Sequence, residues 1–257
     1  MDPNPSFSRR RPAGSNHLLG AAPRGGPSGS HRSRLLPPTL VGVNELRLIF
    51  HQQLEAIEEK VIQLFAYVAE DVAVATEALL SGDTGAFKLL IEREELIDGL
   101  YRELEDLVND QLALQAPVAG DLRLLLSTLR IVPELERSHD LVVHIAEQAT
   151  HLLSDDLTPR TRGLVQRMAE ISGDMWTRAG DAWHDRDPAA VDELEERDDG
   201  LDSLHSALTA ELASGKTSVP VAMDMTLVAR YYERLGDHAV NVARRIVFLS
   251  GGSQPAG

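Results

Sequence analysis

Eight carboxylates in this chain fall into four pairs, each with its members four residues apart: Glu94 and Asp98, Glu136 and Asp140, Asp198 and Asp202, Glu233 and Asp237. On a helix, positions i and i+4 stand one above the other on the same face, about 6 Å apart, and two ionised carboxylates there repel by a few tenths of a kcal/mol. Oxygen ligands of this kind suit hard cations such as Mg²⁺, Mn²⁺, Fe or Ca²⁺, and a bound cation would relieve the repulsion. A solvated acidic face would present the same pairs, with Arg137 and Arg234 beside them to offset some of the charge. Spacing alone leaves both readings open. A di-iron site in a bundle core is disfavoured, because that chemistry wants two inward E-x-x-H motifs. The chain offers only Glu136-x-x-His139, and the wheel turns Glu136 outward.

Histidines flank the acids without sharing a motif column. His139 precedes Asp140 and His238 follows Asp237. They are expected as surface or interhelical histidines, with auxiliary metal ligation as the alternative. His144 and Asn241 share a column and suit helix packing or hydrogen bonding, and Trp176 and Trp183 suit the core. There is no nucleophile elbow, phosphate-cradling glycine loop or HExxH, so beyond the acids no constellation for enzymatic chemistry presents itself.

The elements that position these acids are helices, and they are duplicated. Glu136-Arg137-Ser138-His139-Asp140 is echoed by Glu233-Arg234-Leu235-Gly236-Asp237, and Glu94-Glu95-Leu96-Ile97-Asp98 by Asp198-Asp199-Gly200-Leu201-Asp202. Six helices are predicted, over roughly 44–81, 85–115, 120–153, 159–185, 188–214 and 219–250. Thr158-Pro159 and Asp187-Pro188 each offer an N-cap followed by proline at the first helical position, where no N–H is missed. Val228, Leu235, Val242 and Leu249 form a heptad stripe on the last helix, which leaves Glu233 and Asp237 nearly opposite it. Pro133 falls inside the third helix and is expected to kink it or leave a carbonyl unpaired. The pattern is all-α: two three-helix bundles by internal duplication, over 43–154 and 158–250.

Composition agrees. The chain of 257 residues is 43% hydrophobic and only 4% aromatic, which favours helices. It has no cysteine, which removes disulfides and thiolate sites. The net charge of −15 is divided: residues 1–42 hold six arginines against one acid, leaving about −20 for the rest. An acidic body is a poor nucleic-acid binder, because counterion release needs clustered Lys and Arg. Seven of the thirteen prolines lie in residues 1–42, so a disordered basic tail is expected there, with a short second tail over 251–257. No stretch reaches the roughly 18 apolar residues that span a bilayer. A cytoplasmic location is expected.

Three segments together resemble the PhoU family: Glu134-Leu135-Glu136-Arg137-x-x-Asp140, Arg234-Leu235-Gly236-Asp237-His238-Ala239-x-Asn241-Val242-Ala243, and Gln115-Ala116-Pro117-x-Ala119-x-Asp121-Leu122-Arg123. The resemblance covers about residues 43–250 and implies two homologous three-helix bundles. It implies that E/D-x-x-x-D motifs hold metal, through Glu94, Asp98, Glu136 and Asp140 in the first bundle and Asp198, Asp202, Glu233 and Asp237 in the second. The metal is left open between iron, manganese, magnesium and zinc. It further implies a homodimeric, non-enzymatic regulator acting with a phosphate ABC transporter ATPase and a sensor histidine kinase. The alternative is a metal-dependent enzyme or metal store using the acidic faces. The chain departs from the family pattern at Ser138-His139, where Ile-Gly is usual, at Pro133, and at Arg244, where many relatives carry an acid. These departures bear on the first bundle's acids more than on the second's.

Overall fold

Long runs of Leu, Ala, Glu and Arg without internal glycine clusters dictate helices, and the ends of those runs dictate where they stop. The structure, a computed structural model, describes residues 40–151 and 157–251. Six α-helices follow in order: α1 Leu40–Ser81, α2 Thr84–Gln115, α3 Ala119–Glu147, α4 Pro159–Asp185, α5 Ala190–Ala213 and α6 Val219–Leu249. The two expected tails fall, over residues 1–39 and 252–257, outside the described residues.

The punctuation acts as its chemistry requires. Gly82 closes α1 at φ +77°, and the Asp83 side chain accepts from the Gly85 N–H to open α2. Thr158 Oγ1 accepts from the Thr161 N–H at 3.1 Å above Pro159. Three boundaries differ from expectation by more than one residue. α1 begins at Leu40 rather than 44. α5 begins at Ala190 rather than 188, because Asp187 spends its capping oxygen on the Ala189 N–H, and Pro188 and Ala189 form a turn. The third helix, expected to reach 153, ends at Glu147 and tightens into a 3₁₀ turn over Gln148–Thr150. There the Thr150 hydroxyl donates to the Glu147 carbonyl at 2.8 Å, a side-chain bond that competes with the helical ladder. α3 runs through Pro133 without a break.

The duplication is visible position by position. Val61, Leu64, Val68 and Val72 of α1 correspond to Val165, Met168, Ser172 and Trp176 of α4, and all eight are buried. α2 packs on α1 and α3, and α5 packs on α4 and α6, completing each three-helix unit. The units then join broadly, α1 along α4 and α3 along α6, so the four inner helices share one hydrophobic core with α2 and α5 outermost. Phe65 meets Trp176 across the junction with ring centroids 6.2 Å apart, and Thr76 Oγ1 lies 2.6 Å from Tyr232 Oη in a buried bridge. Trp176 and Trp183 are core, as their spacing suggested. Among the described residues no helix is long and apolar enough to cross a membrane.

Candidate metal centre

Each acid pair stands on an outer helix or on the inner helix beside it. The α2 pair faces the α3 pair, and the α5 pair faces the α6 pair. Glu94 shows the first convergence: burial, then the charge of Asp140, holds its carboxyl above the ordinary Glu range, with Asp98 adding to the rise and His139 opposing it. Glu136 is raised in the same way by burial and then by Asp140 and Asp98. In the second repeat burial, then Asp237, Asp202 and Glu233, pushes Asp198 up to about 6. All eight sequence-predicted acids are therefore gathered, four to a seam. The helical wheel places Glu136, Asp140, Glu233 and Asp237 on the face away from the core. Instead Glu94, Asp98, Glu136, Asp140, Asp198 and Glu233 are half-buried along the seams, and Asp202 and Asp237 are exposed. Helical periodicity reports an angle from one helix's own core stripe and is blind to the neighbouring helix that covers the flank. Arg137 pairs with Glu134 at 2.9 Å rather than with Glu136, while Arg230 pairs with Glu233.

The floor of the second seam is unusual. Asp198 Oδ1 is buried and has no hydrogen-bond partner. It packs over Gly236, where an added Cβ would clash with that oxygen and lie 2.8 Å from Leu201 Cδ2. Glycine is required here by the carboxylate it accommodates. A buried carboxylate oxygen without a donor is costly in its charged form. Four clustered carboxylates with one orphaned oxygen fit a hard cation by donor chemistry. They are not closed into a cage: among the described residues no group of three His, Asp or Glu side chains is placed to hold an ion. Ion capture would need side-chain rotation within each seam.

The first seam has a different floor. His139 occupies the position of Gly236 and is fully buried, with Nε2 3.0 Å from Asp71 Oδ2. Asp71, also buried, takes the place of Met175 and pairs with Arg93 at 2.8 Å. Arg93 reaches Glu70 at 3.4 Å and lies over the Tyr67 ring; its counterpart Arg197 reaches Asp174, also at 3.4 Å. Asp71 and Arg93 escaped the sequence reading. A usable signal existed: Asp71 interrupts the buried apolar column of Val68, Val72 and Ala75. His238, the other flanking histidine, is buried where the repeats meet, 3.1 Å from Ser138 Oγ and 3.3 Å from a Glu134 carboxylate oxygen. Burial lowers its pKa against the pull of Glu134. His144 is exposed and stacks on Tyr231 at 5.6 Å. A groove of about 570 Å³ between α1 and α4, lined by Thr76, Glu77, Gln166 and Asp174 among others, contains none of the eight acids.

The geometry of two like seams in two like bundles agrees with the comparison to known proteins. The PhoU domain matches twice, over residues 61–149 and 165–246. The chain belongs to the PhoU family. The matched segments run from α1 into the end of α3 and from α4 into α6, so each PhoU repeat contains one complete seam. Among relatives, the phosphate-specific transport system accessory protein PhoU homolog 1 of Mycobacterium leprae is 33% identical over 213 residues, covering 82% of this chain and 96% of the relative. The PhoU homolog 2 of Mycobacterium tuberculosis is also 33% identical, covering 82% of this chain and all of the relative. The crystal structure of PhoU from Pseudomonas aeruginosa superposes with a TM-score of 0.73 at 26% identity, over 79% of this chain and the whole of that one. The phosphate transport system regulatory protein PhoU of Streptococcus pneumoniae, at 24% identity and TM-score 0.74, covers 81% of this chain and all of its own, and shares the fold.

Proposed function

We propose that this protein is a non-enzymatic accessory of phosphate transport. It acts in the cytoplasm, restraining a phosphate ABC transporter through its ATPase and holding a phosphate-sensing histidine kinase in its repressing state when phosphate is ample. The observation that carries this reading is the PhoU domain present twice, in a chain whose relatives are named accessory proteins of the phosphate-specific transport system. The acidic outer helices suit basic partner surfaces, since complementary charge steers association. Self-association as a homodimer belongs to the same reading, and sedimentation of the full chain would reveal a monomer if that part is wrong.

The two seams are proposed as cation sites. Glu94, Asp98, Glu136 and Asp140 would hold an ion between α2 and α3, and Asp198, Asp202, Glu233 and Asp237 would hold one between α5 and α6. Such an ion supplies positive charge and ties an outer helix to the inner bundle. The buried, unpartnered oxygen of Asp198 supports this most directly. Deleting the gene should raise phosphate-starvation gene expression in phosphate-rich medium, and the intact gene should restore repression. Unchanged expression in the deletion strain would overturn the regulatory reading.

A further inference from the structure

The groove between α1 and α4 has an apolar floor and an acidic rim. Ala73, Leu80, Ala169 and Gly173 contribute the floor of its volume of about 570 Å³. Every charged residue lining it is an acid, Glu77 on the α1 wall and Glu170 and Asp174 on the α4 wall. Glu170 pairs with Arg167 at 2.9 Å and Asp174 with Arg197 at 3.4 Å. Both acids stay half exposed or more, and surface pairs of this kind exchange at little cost. Arg162 is engaged at the end of α1, where it donates to the Leu80 carbonyl at 2.7 Å.

The fold does not require this opening. α1 and α4 run antiparallel, with Phe65 against Gly180, Ala69 against Gly173 and Leu80 against Arg162. The repeat that matches Val61 to Val165 also matches Phe65 to Ala169 and Thr76 to Gly180. The space beside Thr76 and Ala169 therefore has a counterpart beside Gly180 and Phe65. There the aromatic side chain fills it, so closely that a Cβ added to Gly180 would lie 3.2 Å from Phe65 Cβ. One half of the molecule covers its apolar surface from within, and the other leaves it open between acids.

The groove runs along positions 73–81 of α1 and 166–174 of α4, about 12 Å or two helical turns. That length takes the apolar face of a short amphipathic helix. A second copy of this chain fits poorly, since it carries a net charge of −15 and would bring further acids to the rim. Lys and Arg fit well, because they lay apolar stems on a floor while their charged ends reach its edge. We propose that the α1–α4 groove docks a basic amphipathic helix of a partner protein. Its apolar side chains sit on Ala73, Leu80, Ala169 and Gly173, and its cations meet Glu77 on one side and Glu170 and Asp174 on the other. This inference rests on the reading of the chain as an accessory that acts by association, and it adds the surface and the partner's chemistry.

The test uses the full chain, ¹³C-labelled in its alanine methyls, with a synthetic amphipathic Leu/Lys helix as the probe. Binding should shift the Ala73 and Ala169 methyls. An Ala/Lys helix of equal charge should bind about tenfold more weakly or worse, as loss of apolar anchors predicts. Ala73→Leu, at an exposed position, fills the groove without changing charge, and Ala169→Phe installs the other half's own residue. Each should weaken the Leu/Lys helix by about tenfold or more while the chain melts as wild type. Glu77→Gln with Glu170→Gln and Asp174→Asn should weaken binding and flatten its salt dependence. Binding that leaves both methyls unmoved, or that survives Ala73→Leu, overturns the proposal. So does altered sedimentation of the Ala73→Leu chain alone, which would make the groove an interface between copies. In cells, Ala73→Leu should raise phosphate-starvation gene expression in phosphate-rich medium. Full repression by Ala73→Leu beside derepression in the deletion strain overturns the proposal and spares the regulatory reading. Unchanged expression in the deletion strain removes the regulatory reading, and the peptide arms then decide the groove by themselves.

Discussion

Between Glu136 and Asp140, α3 buries His139 against Asp71; between Glu233 and Asp237, α6 buries Gly236 under the carboxylate of Asp198. The acids above share type and spacing, yet the space beneath is filled by a hydrogen-bonded imidazole in one repeat and by an acid in the other. In the second repeat charge is concentrated at the floor, and Asp198 responds by holding its proton up to about pH 6. In the first, His139 partly offsets the rise at Glu94, and the burden moves inward to a buried Asp71–Arg93 pair. Duplication preserved the positions of the acids, and the residues under them differ together, Gly with Met in one copy and His with Asp in the other.

The largest expected effect comes from breaking the first floor. Asp71→Ala strands His139 and Arg93 and should cost about 3–5 kcal/mol, as removal of one partner of a buried ion pair does. Asp71→Met combined with His139→Gly removes the carboxylate together with its imidazole partner and leaves Arg93 its contact to Glu70, so it should cost less than half as much in urea unfolding. Equal losses would mean that the two floors are not interchangeable solutions. Next in size, Gly236→Ala should destabilise by about 1–3 kcal/mol, because its methyl must displace Asp198 and Leu201. Gly99→Ala on α2, where nothing lies within 4 Å of the new Cβ, should instead gain about 0.5–1 kcal/mol. A shared sign would contradict the close approach at Gly236.

Asp198→Asn should act more weakly and with a definite pH dependence. The folded state holds this proton more tightly than the unfolded chain, so the group's favourable contribution is complete below its ordinary value of 3.8 and is lost as pH rises through about 6. Metal-free Asp198→Asn protein should therefore melt higher than wild type above pH 6, by no more than about 2–4 °C because the carboxyl is partly solvent-screened. The advantage should shrink toward pH 4. Glu94→Gln should shift melting in the same direction and by less, since His139 already opposes the repulsion there. An advantage that persists unchanged at pH 4 would assign the effect to packing rather than charge.

Much of this was legible in the residues. The six helices, the duplication and the eight acids follow from local periodicity, caps and a repeated five-residue core, all carried within a single helix. Three things were not. The shortened α3 depends on a Thr150 hydroxyl bond that competes with the ladder. The half-burial of the acids depends on which helix flanks which, a tertiary fact that a helical wheel omits. The floor of the first seam joins Asp71 of α1, Arg93 of α2 and His139 of α3, residues from three helices that no spacing rule links. The substitution of Ser138-His139 for Leu235-Gly236 marked the place, and only packing explained it.

Metal content tests the two seams most directly. The full chain is equilibrated with Mn²⁺ or with Zn²⁺, freed of unbound ion, and analysed beside Glu94→Gln/Asp98→Asn, Asp198→Asn/Asp202→Asn and the combined fourfold variant. Two cation-binding seams predict retained ion in the wild type, loss of one seam's share in each double variant, and none in the fourfold variant. A wild-type chain that emerges free of both ions, or a fourfold variant that retains as much as wild type, would contradict them.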